Sequence, residues 1–595
     1  MKFAFKPIAI AAALAFIGTA AVASPMKPGT YTAKVNGHNA PLTVEVTVDA
    51  NKILSIKTPD DQESLGVGKV GLKKTADNIL CYQSIGVDAV TGATFSSNAL
   101  KEGVEKCLKQ AGADMKQFTR KAEKHPIHNR TYQADVVVIG GGGAGLASAI
   151  SSMQAGAKKV IVLEKLGYVG GSTNVSEGAL NAVDDQRQKA QGIKDSYETF
   201  YETTMHGGHD KGDPTLVRFL TSHSMDAVNW LESLGVKFND HIGAATGSLG
   251  QRSHYPATPY GNTYIRTFEK VIADSNGKIQ VLLDTPAVKL IQNKSGRVVG
   301  VVGNNFGSKV TVMAKDGVII ATGGFGANVA YRQKVNTGVW KNIKLDNSIG
   351  CTNIQKAAQG QGLFLAQKVG AKLIGLSDIQ IHPCGTPGTG LMENIRTSGR
   401  NRIFVNSDGN RFVNEGAARD VLANAIFQQK GRTYWIVVNK LRYPTPDFKD
   451  RMGASIRNME ALGAVVEAPT LDELAKKTGM NAENLKKAIA DYNAVVSGKA
   501  KDKLGFVANN KDDKQMTEGP WYACRKVPTV HHTMGGIKIN VKSQVINTKG
   551  KVIPGLYAVG EVTGGIHGSN RLGGNAIADI MTFGHAVGPH IVQGK

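Results

Sequence analysis

The sequence predicts an α/β fold with several domains, one of them built on a parallel sheet, and three observations lead to this prediction. Ala134–Ile139 and Val160–Leu163 are almost unbroken apolar runs, typical of strands buried on both faces of a parallel sheet. An apolar helical segment extending through Ile150 lies between them and joins them into a strand–helix–strand unit. A chain of 595 residues exceeds what one hydrophobic core supports, so further domains are expected.

The turn between the first strand and the helix carries the glycine pattern Gly140-x-Gly142-x-x-Gly145. Glycines at this spacing permit a tight turn, close backbone approach to a pyrophosphate and close packing of helix on strand. Glu164 ends the second strand 24 residues after Gly140, where an acid can accept a hydrogen bond from a ribose hydroxyl. A structural glycine turn is the alternative. The strand, turn, helix, strand and acid in register favour a dinucleotide site and therefore a redox protein.

The N-terminus and the overall charge indicate where the protein works. Lys2 and Lys6 precede an apolar stretch that ends in small residues, so residues 1–23 resemble a secretory signal cleaved near Ala23. A buried helix is the alternative. No later stretch is long enough to span a bilayer, so we expect an exported, periplasmic protein without stable membrane insertion. The net charge of +23 comes without a basic–aromatic cluster, which favours a small anionic substrate or an acidic electron-transfer partner over nucleic acid.

The cysteines exclude two classes of protein. There is no CxxC pair and no CxxCH motif, so the chain is expected to carry no c-type haem of its own. An odd number leaves at least one thiol unpaired, which excludes a dense disulfide framework. The five are Cys81, Cys107, Cys351, Cys384 and Cys524.

The segment before the glycine turn predicts a small α+β domain. Gly29–Thr58 alternates like short antiparallel strands, with turns at Asn36-Gly37 and at Asp49–Asn51. Ser97–Ala111 follows with one apolar helical face. Residues 113–133 are basic and polar, so they are predicted to form a linker whose charges are solvated.

Three further segments after the turn have predictable structure. Gly317–Gly326 is a strand that ends in glycines, and Gly555–Val559 is a late strand that resembles a return to the first sheet. A capping box, Thr470-x-x-Glu473, opens helical segments that reach about Val496.

Three blocks together resemble the fumarate reductase/flavocytochrome c family of flavin-dependent reductases. They are Ala134–Glu164, Ile379–Asp420 (IQIHPCG…RFVNEGAARD) and Val530–Ile577 (VHHTMGGIKIN…GSNRLGGNAI). The resemblance implies non-covalent FAD rather than NAD, held by a Rossmann-type FAD-binding domain of residues 134–376 and 531–595. An α+β capping domain of residues 377–530 would interrupt it. The positions that the resemblance assigns to FAD are Gly140, Gly142, Gly145, Glu164, Gly171, Ser172, Gly323, Gly324, Glu561, Asn575, Ala576 and Ile577.

Upstream, Asp88–Thr94 (DAVTGAT) resembles the flavinylation motif of FMN-binding domains, and Gly66-Val67-Gly68 resembles a glycine turn of those domains. This implies an FMN-binding domain of residues 24–112 with FMN joined to Thr94 through a phosphoester. The alternative is a Gly-Ala turn that caps the following helix.

The resemblance also assigns the residues that act on a substrate. Arg571 and His531 match the family's carboxylate clamp, because a guanidinium binds a planar carboxylate in two places and an imidazole adds a hydrogen bond. Arg419 matches the proton donor, and N5 of FAD would supply hydride. A structural arginine on FAD, a satisfied core histidine and an Arg419–Asp420 ion pair are the alternatives.

The other residues expected to form the substrate site differ from those of the family. His382-Pro383 is kept, but Cys384 follows where fumarate reductases carry threonine. Glu393-x-x-Arg396 has the spacing of the family's proton relay but is shifted by two residues, so a solvated loop pair is equally compatible. The positions that resemble the backbone ligands of a structural sodium ion are Thr533, Met534, Gly535, Glu561 and Thr563.

These features predict a reductase of the C=C bond of an α,β-unsaturated carboxylate. The exported, haem-free layout with FMN and FAD most resembles the urocanate reductases, so an aryl acrylate is favoured. Fumarate is the second choice, and acrylate, methacrylate and cinnamate stay open. Electrons would arrive from a membrane quinol-oxidising cytochrome through FMN and then FAD, as in anaerobic respiration. A flavin electron-transfer module or a reversible dehydrogenase is the alternative class.

Overall fold

The structure is a computed structural model that describes residues 25–122, 127–245, 247–258, 260–450, 453–508 and 512–594. The predicted secretory signal lies outside these residues, as do Lys124 and Pro126 of the predicted linker. Within the ranges given, no helix combines the length and the apolar character needed to cross a membrane.

The N-terminal domain is an antiparallel sheet covered by two helices. Its elements are β1 (Gly29–Asn36), β2 (Pro41–Val48), β3 (Ile53–Lys57), α1 (Gly68–Tyr82), α2 (Thr94–Gln110) and α3 (Met115–Phe118). Alternation along β2 buries Val44 and Val46 on the face that receives Leu100 and Val104 of α2. The predicted antiparallel strands and the helix after them are confirmed.

The next segment of the chain is the longest, and it contains the glycine turn. It comprises β4 (Arg130–Ile139), α4 (Gly143–Gln154), β5 (Val160–Leu163), a 3₁₀ turn (Gly171–Val175), β6 (Leu180–Asn181), α5 (Asp185–Ala190), α6 (Tyr197–Gly207), α7 (Pro214–Ser233), β7 (Ser253–His254), α8 (Asn262–Ala273), β8 (Ile279–Leu282), β9 (Ala287–Gln292), β10 (Val298–Asn305), β11 (Ser308–Ile320), α9 (Val329–Val335), α10 (Gln361–Lys368) and β12 (Leu373–Ile374).

The segment predicted to form the capping domain, termed the cap, follows. Its elements are β13 (Ile379–Gly385), β14 (Arg402–Val405), α11 (Arg419–Phe427), β15 (Tyr434–Asn439), α12 (Ile456–Ala461), β16 (Val466–Ala468), α13 (Leu471–Thr478), α14 (Ala482–Val496) and β17 (Trp521–Thr533). Its strands form a second, antiparallel sheet with the order β13-β17-β15-β14, in which β16 pairs with β17. The N-cap half of the predicted capping box is present, since Oγ1 of Thr470 accepts a 3.2 Å hydrogen bond from the backbone of Glu473. Strand β17 runs unbroken through the predicted boundary between residues 530 and 531.

The chain then returns to the first sheet through β18 (Gly536–Lys538), β19 (Gln544–Ile546), β20 (Val552–Ala558), a 3₁₀ turn (Gly560–Val562), β21 (Thr563–Gly564) and α15 (Asn575–Gln593). Strand β20 pairs in parallel with β11, which confirms the predicted return. The sheet order is β19-β20-β11-β4-β5-β8, and the pairs from β20 to β8 are parallel. Helix α15 packs closely on α4, because a Cβ added at Gly584 would lie 2.9 Å from that of Ala147.

Strand β4 begins earlier than the sequence suggests. Arg130–Gln133, assigned to the linker, pairs in parallel with Val310–Met313 of β11. The long β10–β11 hairpin extends beyond the apolar part of the sheet and offers backbone partners to these polar residues. Their strand conformation therefore depends on a distant segment and leaves no apolar signal in the local sequence.

Candidate active site

A cleft opens at the carboxyl ends of β4, β5 and β11, where parallel α/β sheets bind their ligands. Eight of the twelve positions assigned to FAD line it. They are Gly140, Gly142, Glu164, Gly171, Ser172, Gly323, Gly324 and Glu561.

The three glycines of the turn have three different surroundings. Gly140 has a φ of +108°, and a Cβ there would lie 2.4 Å from the carbonyl oxygen of Ala321. A Cβ at Gly145 would lie 1.9 Å from the carbonyl oxygen of Gly140, so helix α4 packs on the turn only without a side chain. A Cβ at Gly142 would meet nothing within 4 Å and would enter the cleft. The turn therefore fits a pyrophosphate that approaches the backbone.

Glu164 holds the glycine turn in place. Its Oε2 accepts a 2.6 Å hydrogen bond from the backbone of Gly141, and its Oε1 accepts a 2.7 Å bond from that of Leu166. The side chain is buried, and burial raises the pKa of its carboxyl group above the ordinary value. Its predicted bond to a ribose stays a prediction.

The last three predicted FAD positions form the first turn of α15. Asn575 is buried, accepts a 2.8 Å hydrogen bond from Nδ2 of Asn181 and donates a 3.2 Å bond to Oγ1 of Thr204. Ile580, one turn further along the helix, lines the cleft. Asn575, Ala576 and Ile577 thus lie beside the cleft, and Asn575 fixes the start of the helix.

The side chains predicted to act on substrate come from four separate segments. His382 lies on β13, Arg419 is the first residue of α11, His531 lies on β17, and Arg571 precedes α15. Antiparallel pairing of β13 with β17 brings the rings of His382 and His531 to 4.9 Å between centroids. The structure therefore brings together residues that are up to 189 positions apart in the sequence.

Gln380, which sequence reasoning missed, links the two arginines. Its Nε2 donates a 2.8 Å hydrogen bond to the carbonyl oxygen of Arg571 and a 2.7 Å bond to Oδ1 of Asn570. Its Oε1 accepts a 3.4 Å bond from Nη1 of Arg419. Gln380 lies two residues before His382 on one strand, and this period-two spacing is the signal that could have found it.

Arg571 is a buried cation with unused hydrogen-bonding capacity. Its Nη1 donates a 3.1 Å bond to the carbonyl oxygen of Leu572, whereas its Nε has no hydrogen-bond partner among the described residues. Burial and the charge of Arg419 lower the pKa of Arg571 to about 9, and burial lowers that of Arg419 to about 10. A bound anion would offset the repulsion between these two buried guanidinium groups.

His382 and His531 are uncharged, so each ring can both donate and accept a hydrogen bond. Burial, together with nearby arginines, lowers the pKa of both His382 and His531 well below the ordinary value. Nδ1 of His382 accepts a 3.2 Å hydrogen bond from the backbone of Cys384, so the proton of its neutral ring is on Nε2. Nδ1 of His531 lies 2.8 Å from Oγ1 of Thr352, which orients that ring.

The predicted relay residues Glu393 and Arg396 contact other side chains instead of each other. Nη1 of Arg396 donates a 3.1 Å hydrogen bond to Oε1 of Glu177, and Oε1 of Glu393 lies 2.9 Å from Nε2 of His38. Burial lowers the pKa of Arg419, and the charge of Glu177, which sequence reasoning missed, partly opposes that effect. Glu177 lies in a loop without a motif, so only the tertiary structure reveals it.

The predicted FMN attachment segment contacts Leu166 and Tyr168 of the FAD-binding domain. Thr94 is exposed at the first residue of α2, and the carbonyl of Gly92 accepts a 3.1 Å hydrogen bond from the hydroxyl of Tyr168. Val90 and Ala93 pack with Leu166 and Tyr168 in one apolar cluster. The motif thus packs against the residues that follow Glu164, which lines the FAD cleft.

Residues at the positions predicted to bind sodium make hydrogen bonds within the protein. The backbone of Thr533 donates a 3.0 Å hydrogen bond to Oε1 of Glu561, and Oγ1 of Thr563 donates a 2.8 Å bond to the carbonyl of Gly560. Among the residues described, no group of three or more His, Cys, Asp or Glu side chains is arranged to hold a metal ion. The predicted sodium site uses backbone oxygens and stays a prediction. All five cysteines are free thiols.

Comparison with known proteins agrees with this architecture. Residues 135–577 match the model of an FAD binding domain, and residues 37–109 match that of an FMN-binding domain. Over 94% of its length the chain is 34% identical to the NADH:acrylate oxidoreductase of Vibrio harveyi, of which it spans 61%, and 34% identical to the urocanate reductase of Eggerthella lenta, of which it spans 91%. It also resembles the open conformation of a flavocytochrome c3 fumarate reductase, with 35% identity, a TM-score of 0.65 and 78% of each chain covered.

The fold and the two domain matches define a flavoprotein with an FAD-binding domain and a separate N-terminal FMN-binding domain. The chain belongs to the fumarate reductase/flavocytochrome c family of FAD-dependent reductases, as its sequence predicts. It is therefore an oxidoreductase that acts on CH–CH groups.

Proposed function

We propose that the protein reduces the C=C bond of an α,β-unsaturated carboxylate in the periplasm, with a urocanate-type aryl acrylate as substrate. The single observation that carries the proposal is the cluster beside the FAD cleft, where the buried Arg571 leaves its Nε unpaired among the described residues and His531 lies nearby. This arrangement attracts an anion and can hold a planar carboxylate. The relatives named above act on acrylate, urocanate and fumarate, which are all such acids.

In this mechanism the clamp polarises the substrate. Arg571 and His531 bind the carboxylate and draw electron density towards it, which prepares the β-carbon for hydride. Bound FAD would supply that hydride in its reduced form. Gly140 and Gly142 would hold its pyrophosphate, and the cluster would hold the substrate near it.

Arg419 protonates the α-carbon in the same proposal. Burial lowers the pKa of Arg419 to about 10, which makes the guanidinium a stronger acid than an exposed arginine. Gln380 keeps its Nη1 in place. The Arg396–Glu177 pair would return the proton, so Glu177 takes the relay position that the sequence assigns to Glu393.

The contacts of His382 and Arg396, in the part of the pocket that departs from the family, favour a monocarboxylate substrate. A second carboxylate, as in fumarate, would meet an Arg396 that is already paired with Glu177 and a His382 that carries no charge. Fumarate remains the second candidate, because Nε2 of His382 can donate one hydrogen bond to it.

Electrons would arrive from a membrane quinol-oxidising cytochrome through FMN on Thr94, without haem in this chain. The exposed position of Thr94 at a helix start leaves it accessible to a flavin transferase. The mass of the denatured, exported protein tests this, with the variant Thr94→Ala and, as control, Thr30→Ala at an exposed threonine of β1 outside the motif. We expect the added mass of one FMN in the wild type and in Thr30→Ala, and its loss in Thr94→Ala. A wild type with the mass of the polypeptide alone would contradict covalent attachment.

Turnover tests the function itself. Purified protein would receive urocanate, fumarate, acrylate, methacrylate or cinnamate, with reduced methyl viologen as donor, and loss of each acid would be measured. We expect the highest kcat/KM with urocanate. A higher kcat/KM with fumarate would make fumarate, rather than urocanate, the proposed substrate. No turnover with any of the five acids would favour the alternative function, a flavin electron-transfer module.

A further inference from the structure

The N-terminal domain contacts the FAD-binding domain through the segments that resemble FMN-binding motifs. The carbonyl of Gly66 accepts a 3.3 Å hydrogen bond from Nδ2 of Asn174, and that of Gly92 accepts the bond from Tyr168. A Cβ at Gly66 would lie 2.4 Å from Oδ1 of Asn174, so the two surfaces meet without space for a side chain. Nζ of Lys74 also donates to the carbonyl of Gly167.

The same domain also contacts the cap, at two side chains. Nε2 of His38 lies 2.9 Å from Oε1 of Glu393, with both side chains 29% exposed, and Nδ2 of Asn458 donates a 2.8 Å bond to Oε1 of Gln62. Burial lowers the pKa of His38, but the hydrogen bond and the charge of Glu393 outweigh burial and raise it to about 9. The contact is therefore an ion pair at neutral pH.

His38 is fixed to the helix that carries Thr94. Its backbone donates a 2.6 Å hydrogen bond to Oε1 of the buried Glu63, whose Oε2 accepts a 2.7 Å bond from Oγ of Ser96. The ring of His38 lies 5.5 Å from that of Phe95, the residue after Thr94. Movement of this helix therefore moves His38.

Glu393 is likewise fixed to the loop that reaches the active site. Nζ of the buried Lys526 donates to the carbonyl of Glu393, and Arg396, three residues later, pairs with Glu177. The charge of Glu177 acts in turn on Arg419. One short loop thus contacts the N-terminal domain with one side chain and the surroundings of the proton donor with another.

We infer that the His38–Glu393 pair is a positioning contact: docking of the N-terminal domain sets the cap loop 390–398, so that Arg396 and Glu177 are in place beside Arg419 while that domain is docked. Glu393 then acts through the loop and does not carry a proton. The effect on turnover rests on the function proposed above, whereas the effect on the loop does not.

Hydrogen exchange of the full, flavin-loaded chain tests the inference in the absence of substrate. The variants are His38→Ala, Glu393→Gln and the charge-retaining His38→Lys. The control is Asp491→Asn, which removes an exposed ion pair with Lys487 on α14 of the cap. We expect His38→Ala and Glu393→Gln to raise the exchange rate of amides 386–398 about two- to fivefold, the range for a partly exposed ion pair. His38→Lys and Asp491→Asn should leave that rate near the wild-type value.

Steady-state kinetics with an enoate and reduced viologen give the second readout. In His38→Ala and Glu393→Gln we expect kcat to fall about two- to fivefold with KM nearly unchanged, and His38→Lys to restore it. Unchanged exchange in both variants would overturn the inference, as would a loss in His38→Ala that lysine does not rescue. If His38→Ala does not fold, Glu393→Gln decides. Altered exchange without turnover on any enoate would refute the proposed function and support the positioning contact.

Discussion

Nη1 of Arg419 donates a 3.4 Å hydrogen bond to Oε1 of Gln380, and the same amide group donates to the backbone of Arg571. One neutral side chain therefore holds the proposed proton donor and the proposed carboxylate clamp at a fixed separation. The two guanidinium groups repel each other, and this amide is a neutral link between them.

Gln380→Leu should lower kcat/KM about 10- to 100-fold, because small displacements of catalytic groups cost that much. Leucine has a similar volume and removes all three hydrogen bonds of the Gln380 side chain. The measurement is steady-state turnover with the preferred enoate, with flavin content as a check. The exposed Gln110→Leu serves as control. Activity of Gln380→Leu within twofold of the wild type would show that Gln380 does not set the geometry.

Arg571→Ala should weaken binding of a saturated carboxylate, the product type, by up to about 100-fold, because a charged hydrogen-bond donor is lost. Titration calorimetry of the oxidised protein measures this without turnover. Arg457→Ala on the cap surface, where the arginine pairs with Asp447, is the matched control. Equal affinity in Arg571→Ala would exclude Arg571 from the clamp.

Arg419→Lys should abolish turnover while both flavins remain bound. Lysine keeps the charge but has a shorter, differently shaped head group that does not reach the same atoms. Absorbance spectra report the flavins, and loss of the enoate reports turnover. Substantial activity in this variant would remove Arg419 from the proton transfer.

Two glycine variants separate packing from cofactor binding. Gly145→Ala should destabilise the apoprotein, because its Cβ would lie 1.9 Å from the carbonyl oxygen of Gly140. Gly142→Ala should leave the apoprotein stable and weaken FAD, because its Cβ would meet nothing except the cleft. Melting temperatures without FAD and FAD titrations measure the two effects. Equal melting temperatures of the two apoproteins would contradict this division.

The His38–Glu393 pair should make stability depend on pH. The pKa of His38 is raised from 6.5 to about 9, with Glu393 and Glu63 as the facing acids. Because folding raises this pKa, protonated His38 stabilises the folded state fully below about pH 6.5. This stabilisation is lost as the pH rises through about 9. The melting temperature of wild type minus that of Glu393→Gln should therefore be positive at about pH 6 and vanish near pH 10. A difference that grows with pH would contradict the ion pair.

The sequence by itself determined the features that depend on neighbouring residues. The apolar run Val160–Leu163 is the strand β5, and Oγ1 of Thr470 caps α13 as its spacing predicts. Gly140, Gly142 and Gly145 have the separate surroundings that a nucleotide-binding turn requires. Such signals are local, because backbone conformation and periodic burial are decided within a few residues.

The tertiary structure alone decided which distant side chains meet. Sequence spacing pairs Glu393 with Arg396, yet the fold places Glu393 against His38 and Arg396 against Glu177. Ion pairs on a loop choose their partners by proximity in space, and residues 355 or 219 positions away leave no imprint on local spacing. Strand β4 likewise begins at Arg130 because a distant hairpin supplies its hydrogen bonds, which no local pattern of polarity records.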